Sequence, residues 1–165
     1  MLEEQKRICL YLLCGLPCSG KTTFASQLAK EKEAIVLSLD RLVLVLYPEE
    51  DTFETHRKYV QRVEDAFFPI VRDLLCRDCS VVMDFPAHTK SERDSLRQLA
   101  IQAEVKSQLY YLQADVETIT RRIQQRNTAL KESEYFIPDW LLNRIIEKLE
   151  PPDISENPIE IWLEW

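Results

Sequence analysis

The sequence of 165 residues, with 45% apolar and 30% charged residues, predicts one soluble globular domain over residues 1–165 with a single hydrophobic core. Its formal net charge of −7 disfavours extended binding along a nucleic-acid backbone, which requires clustered lysine and arginine. The apolar run that follows the first seven residues is too short for a signal peptide or a membrane span, so we expect a cytoplasmic protein without a membrane partner.

The first predicted element is an apolar strand that begins near Ile8 and leads into a phosphate-binding loop. Residues 15–22 match the spacing Gly-x4-Gly-Lys-[Ser/Thr], and a helical pattern follows them. Backbone N–H groups of such a loop, together with the helix N-terminus, form a concave positive site for the phosphates of a nucleotide. The sequence holds two glycines, Gly15 and Gly20, where average usage gives roughly a dozen, so both of these conformationally permissive residues fall in the loop.

Individual loop residues have expected roles. We expect Lys21 to reach the β and γ phosphates and the Thr22 hydroxyl to hold Mg²⁺. Cys18 has two interpretations: a thiol whose pKa falls at the helix N-terminus, so that oxidation impairs nucleotide binding, or an inert small residue. The alternative to the whole assignment is a chance match at a strand-to-helix turn. The predicted nucleotide-binding residues are Gly15, Pro17, Cys18, Ser19, Gly20, Lys21, Thr22 and Thr23.

Apolar periodicity predicts further elements in the first half of the chain. In order, they are a helix over 22–32, a strand over 34–39 that ends at Asp40, a short helix over 41–47, a polar connection at 49–51 and a long helix from about 52 to 76. Asp51 or Thr52 offers a cap for the long helix. Pro69 is expected to break or kink that helix, because proline lacks the N–H that the helix needs.

The second half predicts strands that alternate with helices. In order, they are a strand over 80–83 that ends at Asp84, a helix capped by Thr89 or Ser91, a strand over 107–112, a helix from Asp115, a polar segment over 127–134, a helix over 138–149 and a strand over 159–163. This alternation predicts an α/β fold with a five-stranded, mainly parallel sheet. We expect Trp140 and Trp162 to lie in the core, with an interface as the alternative.

Two carboxylates are expected where strands end, next to the loop. In an open parallel sheet, ligands bind beyond the carboxyl ends of the strands. Asp40 can accept the proton of an attacking hydroxyl there, and Asp84 can order a magnesium shell directly or through water. The alternatives are that Asp40 is the N-cap of the helix after it and that Asp84 is a turn residue before Pro86.

Basic residues provide a third set of candidates. Arg122 and Arg126 share a helix face with Arg121 beside it, and guanidinium groups stabilise the charge of a transferring phosphoryl group. The alternative is a solvated helix face. A lid-like segment is expected over about 121–137. The other basic residues, His56, Arg57, Lys58 and Arg62, are interpreted mainly as solvated surface, with a position facing substrate as the alternative.

The odd count of five cysteines favours free thiols in a reducing compartment. Cys76 and Cys79 form a lone Cys-x2-Cys pair, and neither His56 nor His88 has ligand spacing to it. The sequence therefore disfavours structural zinc.

These motifs carry a family resemblance over nearly the whole chain. The sequence resembles the P-loop kinase-like ATP-binding proteins grouped as AAA-type domains, whose relatives include phage polynucleotide kinase, zeta toxins and chloramphenicol phosphotransferase. The resemblance rests on residues 15–23, 38–40, 81–84, 122–127 and 150–152. Residues 84–89 with Arg93 are most similar to an uncharacterised bacterial subgroup. The resemblance implies a three-layer α/β/α P-loop NTPase fold like that of nucleoside kinases.

The resemblance also implies residue roles. Asp40 matches the family's catalytic base, Lys21 and Thr22 its phosphate and metal residues, Arg122 and Arg126 its lid arginines, and Arg93 an arginine near substrate. The chain departs from the family pattern at two positions. Cys18 stands where glycine is common, and Val43 stands where an arginine often follows the base. The second departure disfavours an acceptor site of the polynucleotide-kinase type.

The leading hypothesis is a kinase that transfers the γ-phosphate of Mg-ATP to a hydroxyl of a small-molecule or nucleotide acceptor, with Lys21, Asp40, Arg122 and Arg126 as catalytic residues. An ATP hydrolase, a nucleotide-dependent switch or a toxin-like module without a phosphoryl acceptor is the alternative. Hydrolytic P-loop ATPases resemble one another in carrying glutamate directly after the aspartate at the position of Asp84, and this chain has Phe85 there.

Overall fold

The computed structural model describes residues 8–48, 53–130 and 134–162. Strands and helices alternate through this part of the chain as the sequence predicts. The strands are β1 (Cys9–Cys14), β2 (Ile35–Ser38), β3 (Val81–Asp84), β4 (Lys106–Gln113) and β5 (Ile159–Trp162). The helices are α1 (Lys21–Lys32), α2 (Leu39–Leu46), α3 (Phe53–Leu75), α4 (Lys90–Gln102), α5 (Val116–Thr128) and α6 (Asp139–Lys148), with a short 3-10 helix at Ile154–Glu156.

The five strands form one parallel sheet in the order β2-β3-β1-β4-β5. β1 lies in the middle, where Leu12 pairs with Met83 of β3 and with Leu109 of β4. A strand with neighbours on both sides and helices on both faces must be apolar throughout. The apolar run before the loop meets this condition, and the predicted five-stranded parallel α/β fold is confirmed.

Helices cover both faces of the sheet. Alternate residues of β1 point to opposite sides, so Leu10 and Leu12 pack in a core with buried residues of α2, α3 and α4. Tyr11 and Leu13 pack with α1 on the other face. A third apolar cluster joins α5 and α6 to Leu16 in the loop after β1. The arrangement is the three-layer α/β/α architecture.

The main differences from the predicted boundaries lie after β2. This strand ends at Ser38, which is the N-cap residue of α2, and the helix begins at Leu39. Asp40 therefore lies in the first turn of α2 and is neither the strand end nor the N-cap. Tyr47 is the C-cap, as a helix stopped before Pro48 requires.

α3 continues through Pro69 to Leu75, so of the predicted break or kink the break is wrong. Buried side chains on one face, among them Val63, Val71 and Leu75, keep the helix packed on the core on both sides of the proline. The predicted caps of this helix, Asp51 and Thr52, lie outside the described residues, as does the polar connection at 49–51.

Two tryptophans differ from expectation. Trp140 is 57% exposed and Trp162 is 64% exposed, so the prediction that they lie in the core is wrong. Trp140 falls in the first turn of α6, whose buried position is Leu142. Trp162 ends the edge strand β5. No helix in the part of the chain that the structure describes is long and apolar enough to cross a membrane.

Candidate functional site

The turn between β1 and α1 lies against the sheet, and both glycines are needed there. Gly15 has φ 152°, and a Cβ atom on it would lie 2.5 Å from the Leu112 carbonyl oxygen and 2.8 Å from Ser19 Oγ. Gly20, with φ 93°, is the N-cap of α1. A side chain at Gly15 would collide with the backbone of β4, so the turn can lie this close to the sheet only with glycine at that position.

The other loop residues differ in exposure. Ser19 is 1% exposed, its N–H donates to the Leu16 carbonyl oxygen at 3.2 Å, and its Oγ has no hydrogen-bond partner among the residues described. Pro17 is half-buried and Thr23 is exposed. A buried hydroxyl without a partner is uncommon. The Ser19 hydroxyl is therefore available for a hydrogen bond to a group bound in the turn.

Lys21 folds back over this turn. Its Nζ donates to the carbonyl oxygens of Gly15 at 2.9 Å and Leu16 at 2.8 Å. Burial lowers the pKa of Lys21, while the negative charges of Asp84 and Asp40 oppose that shift. An ammonium group held by two neutral carbonyls can exchange them for anionic oxygens, which form stronger hydrogen bonds with it.

Three oxygen-bearing side chains meet at the carboxyl ends of β2 and β3. The Thr22 hydroxyl donates to Asp84 Oδ2 at 2.7 Å, and the Ser38 hydroxyl donates to the same oxygen at 3.3 Å. Asp84 is the last residue of β3 and pairs across the sheet with Ser38, the last residue of β2. The sheet register therefore sets the position of the Asp84 carboxylate beside α1.

These oxygens fit Mg²⁺. This ion is usually held through one or two carboxylates together with phosphate oxygens and water. Thr22 and Asp84 supply a hydroxyl and a carboxylate that already lie within hydrogen-bonding distance of each other. Among the residues described, no group of three or more His, Cys, Asp or Glu side chains could hold a metal ion. A cation held by Thr22 and Asp84 would complete its shell with phosphate and water.

Asp40 opens to solvent beside these residues. Surrounding protein atoms nevertheless remove part of its hydration, and this desolvation, together with the negative charge of Asp84, raises the pKa of the carboxyl group. The positive charges of Lys21, His56 and Arg126 oppose the shift. A carboxyl group with a raised pKa and access to solvent has the properties of a general base.

Two arginines of α5 face the same region. Arg122 Nη1 donates to the Cys18 carbonyl oxygen at 3.2 Å, and Arg126 Nη2 donates to the Tyr135 carbonyl oxygen at 2.9 Å. The buried Nε of Arg126 has no hydrogen-bond partner within the described ranges. Both side chains are half-buried, whereas Arg121 is exposed. Arg122 is thus held on the loop, and Arg126 retains an unused donor.

Cys18 has a positive φ of 57° in the loop. Burial raises the pKa of its thiol, and the positive charges of Arg126, Lys21 and Arg122 oppose that shift only in part. The pKa of the thiol is therefore shifted in the direction opposite to the expected fall, because desolvation outweighs these charges. This favours the interpretation of Cys18 as an inert small residue.

The position of Arg93 differs from the expectation that this residue lies near substrate. Its side chain is buried in α4 and forms a two-pronged ion pair with Glu156, Nε to Oε2 at 2.7 Å and Nη2 to Oε1 at 2.8 Å. Its Nη1 donates to the carbonyl oxygens of Ala87, His88 and Glu150. With its donors engaged inside the protein, Arg93 is left out of the acceptor site proposed below.

Sequence reasoning missed the contact between His56, whose charge acts on Asp40, and Tyr135. His56 was expected on the solvated surface, yet it is half-buried, and its ring packs edge-on against Tyr135 with centroids 5.3 Å apart. Its neighbours Arg57 and Lys58 are exposed, as expected. The pair joins α3 to the segment after α5, and no local pattern in either segment signals it.

A family comparison covers most of the chain. The profile of the AAA domain family matches residues 10–152. No curated protein sequence matches the chain.

Solved structures share the fold. A candidate kinase from Chloroflexus aurantiacus is 18% identical with a TM-score of 0.72, over 94% of this chain and 88% of that one. Kti12 from Chaetomium thermophilum, solved with ADP-AlF3, is 19% identical with a TM-score of 0.69, over 94% and 89%. A gluconokinase from Sinorhizobium meliloti 1021 is 16% identical with a TM-score of 0.61, over 97% and 84%. The chain has a P-loop kinase-like fold and belongs to the AAA domain family.

Proposed function

We propose that the protein is a kinase that transfers the γ-phosphate of Mg-ATP to a hydroxyl group of a small-molecule or nucleotide acceptor. The observation that carries this proposal is the contact between Thr22 and Asp84, beside the ammonium group of Lys21 and within reach of the charge of Asp40. These are the groups that phosphoryl transfer requires for phosphate binding, metal binding and proton removal. Family membership and a fold relative solved with ADP-AlF3 support nucleotide binding.

Different residues of the chain bind phosphate, stabilise negative charge and accept the proton. Backbone N–H groups of the loop at 15–23, where every residue except Pro17 carries one, bind the phosphates. Lys21 exchanges its two carbonyl partners for phosphate oxygens. Arg122 and Arg126 stabilise negative charge on the transferred group. Asp40 takes the proton of the acceptor hydroxyl, which its raised pKa favours. When bound at Thr22 and Asp84, Mg²⁺ supplies positive charge to the phosphate oxygens.

The alternative activity is ATP hydrolysis without an acceptor, as in a nucleotide-dependent switch or a toxin-like module. The residue after Asp84 is Phe85, which is buried in the core and carries no group that orients water. Asp40 is instead open to solvent, where an acceptor hydroxyl can approach it. The apolar side chain of Phe85 disfavours hydrolysis, and the exposure of Asp40 leaves room for an acceptor.

Two substitutions test the assignment. Lys21→Ala should weaken ATP binding roughly thirtyfold, since a charged hydrogen bond contributes about 2 kcal/mol. Asp40→Asn should keep ATP affinity and reduce transfer about 10²- to 10⁴-fold, because general-base catalysis contributes that much. Calorimetry with Mg-ATP measures binding, and γ-labelled ATP measures transfer.

Lys30→Ala is the matched control for the lysine, because Lys30 is exposed on the same helix α1 and should leave binding unchanged. An Asp40→Asn protein that still transfers phosphate at the original rate would refute the base assignment. A screen with γ-labelled ATP distinguishes a kinase from a hydrolase. The acceptors tested are nucleosides, 5′-hydroxyl oligonucleotides, sugars and UDP-amino sugars. Labelled product identifies a kinase, and free phosphate alone identifies a hydrolase.

A further inference from the structure

Arg93 is a buried charge on α4 whose Nη1 lies 3.9 Å from the sulfur of Cys14, the residue before Gly15. The residue is 0% exposed, and its two-pronged ion pair with Glu156 uses Nε and Nη2. Glu156 also accepts from Arg97 Nη2 at 2.8 Å. A guanidinium group removed from water must be paired with good geometry, and this pairing meets that need.

The remaining donor of Arg93 joins three separate segments. Nη1 donates to the carbonyl oxygens of Ala87 at 3.1 Å, His88 at 3.2 Å and Glu150 at 2.9 Å, and it lies 3.9 Å from Cys14 Sγ. The segments are the end of β1, the connection from β3 to α4 and the chain after α6. One nitrogen thus connects parts of the chain that are far apart in sequence.

Two of these segments border the proposed metal site. Cys14 directly precedes Gly15, and Ala87 follows Asp84 by three residues. Ala87 and Phe85 are buried in the same core cluster as residues of α4, so the connection after Asp84 is part of the core. Arg93 therefore holds the chain on both sides of the gap that the hydrogen bond from Thr22 to Asp84 spans.

The chain after α6 also forms hydrogen bonds with the connection from β3 to α4. The Glu150 N–H donates to the His88 carbonyl oxygen at 2.8 Å, and the Lys90 N–H donates to Glu150 Oε2 at 2.7 Å. The Glu156 carboxylate fixes the direction of the Arg93 guanidinium from this side. Main-chain hydrogen bonds and the ion pair therefore both join the chain after α6 to this part of the protein.

Stability alone gives little reason for this arrangement. Replacing a buried ion pair by apolar residues of similar volume is often neutral or stabilising. A guanidinium whose donors reach two site-bordering segments does more than pair with a carboxylate, because it fixes the position of one segment relative to the other. Groups behind a metal ligand commonly tune metal affinity in this way.

We propose that Arg93 is a positioning residue that fixes Asp84 relative to the loop after β1, so that Thr22 and Asp84 are preorganised to hold Mg²⁺. This inference rests on the proposed function. It assigns to Arg93 a contact with the supporting chain and none with substrate.

The test compares ADP binding with and without Mg²⁺ by calorimetry, together with thermal unfolding. Arg93→Lys keeps the positive charge and loses the two-pronged hydrogen bonding of the guanidinium group. The Mg²⁺ gain is the ratio of the ADP affinity measured with Mg²⁺ to the ADP affinity measured without it. We expect this gain to fall about tenfold in Arg93→Lys, as for other groups that support a metal ligand. The ADP affinity without Mg²⁺ should change by less than about twofold. A purely structural ion pair would lower the melting temperature and leave the Mg²⁺ gain unchanged.

Arg97→Lys is the matched control, because Arg97 contacts the same Glu156 oxygen but has no described contact with the two site-bordering segments. It should keep the full Mg²⁺ gain. An unchanged gain in Arg93→Lys overturns the inference, and an equal loss in Arg97→Lys does so too. If Arg93→Lys fails to fold, Glu156→Gln replaces it, and retention of the full gain then overturns the inference. A native protein that binds no ADP with Mg²⁺ refutes the proposed function itself.

Discussion

Cys18 occupies a backbone conformation that normally belongs to glycine. Its φ of 57° lies in the left-handed region, which costs an L-residue about 1–2 kcal/mol. Glycine adopts this conformation at no steric cost, which agrees with the glycine that the family resemblance leads us to expect here. The side chain also packs beside the apolar cluster that contains Leu16 and Ile119, so the thiol contributes contacts that glycine would lack.

Substitutions at Cys18 should therefore depend on branching. Cys18→Val should lower the free energy of unfolding by about 2 kcal/mol, because a β-branched residue is poorly tolerated at positive φ. Cys18→Gly should change it by less than about 1 kcal/mol, since relief of strain offsets the lost contacts and the greater freedom of glycine in the unfolded chain. Urea denaturation measures both values.

Cys76→Val serves as control, because Cys76 is exposed just beyond α3 and is not among the residues with positive φ. It should alter stability by about 0.5 kcal/mol or less. Equal destabilisation by valine and glycine at position 18 would contradict the interpretation of strain.

Helix α4 shows how a local signal fixes the start of an element. The sequence offers Thr89 and Ser91 as caps, and the structure uses Thr89. Glu92 decides between them, because it lies three residues after Thr89. Its N–H donates to Thr89 Oγ1 at 3.2 Å, and its carboxylate accepts from the Thr89 N–H at 3.1 Å. This reciprocal capping box orders the first turn, and Arg93, the fourth residue of α4, directly follows Glu92.

Thr89→Ala should lower the free energy of unfolding by about 1 kcal/mol, because the side-chain oxygen that accepts from Glu92 is lost. Ser91→Ala is the matched control, since Ser91 lies inside the exposed first turn and caps nothing. It should change stability by less than about 0.5 kcal/mol. Urea titration of both variants checks the difference, and a larger effect at Ser91 would contradict the cap assignment.

Helices α2 and α3 show where local signals fail. Pro69 predicts a break or a kink, yet α3 is not broken, because its buried face packs in the core at residues before and after the proline. The apolar pattern places the end of β2 at Asp40, but Leu39 is buried as a helical residue of α2. Apolar periodicity cannot distinguish a last strand residue from a first helical residue when both are buried.

At the scale of the whole molecule, the sheet order assembles the candidate site. β1 lies between β3 and β4, and β2 pairs with β3. The parallel register brings Ser38 beside Asp84, and the turn after β1 brings Thr22 to the same edge. The site therefore depends on the integrity of the whole fold.

The folded structure also makes the free energy of unfolding depend on pH, through the burial of His88. Burial lowers the pKa of this residue to about 4, and the positive charge of Lys21 acts in the same direction. In the unfolded chain the ordinary pKa is 6.5. The unfolded state therefore binds more protons between these values, and stability falls as the pH drops from about 6.5 towards 4.

His88→Gln removes this titration. We expect the free energy of unfolding of the native protein to fall more steeply than that of His88→Gln between pH 7 and pH 5, as measured by urea denaturation at each pH. Above pH 7.5 both forms should have the same slope, because His88 is then neutral in the folded and unfolded states alike. Equal slopes below pH 6.5 would contradict the burial of a neutral His88.

The sequence by itself determined the loop after β1, the order of strands and helices and the parallel α/β class. These signals are local, because they depend on the spacing of consecutive residues and on apolar periodicity. The candidate residues Lys21, Thr22, Asp40 and Asp84 were also found in this way, since each lies near a strand end.

Only the tertiary structure decided how such residues meet. The contact from Thr22 to Asp84, the pairing of His56 with Tyr135 and the burial of Arg93 against Glu156 join positions far apart in the chain. The exposure of Trp140 and Trp162 likewise depends on which faces the fold leaves uncovered. Such contacts are set by the packing of helices on the sheet and by strand register, and neither is encoded in any single stretch of residues.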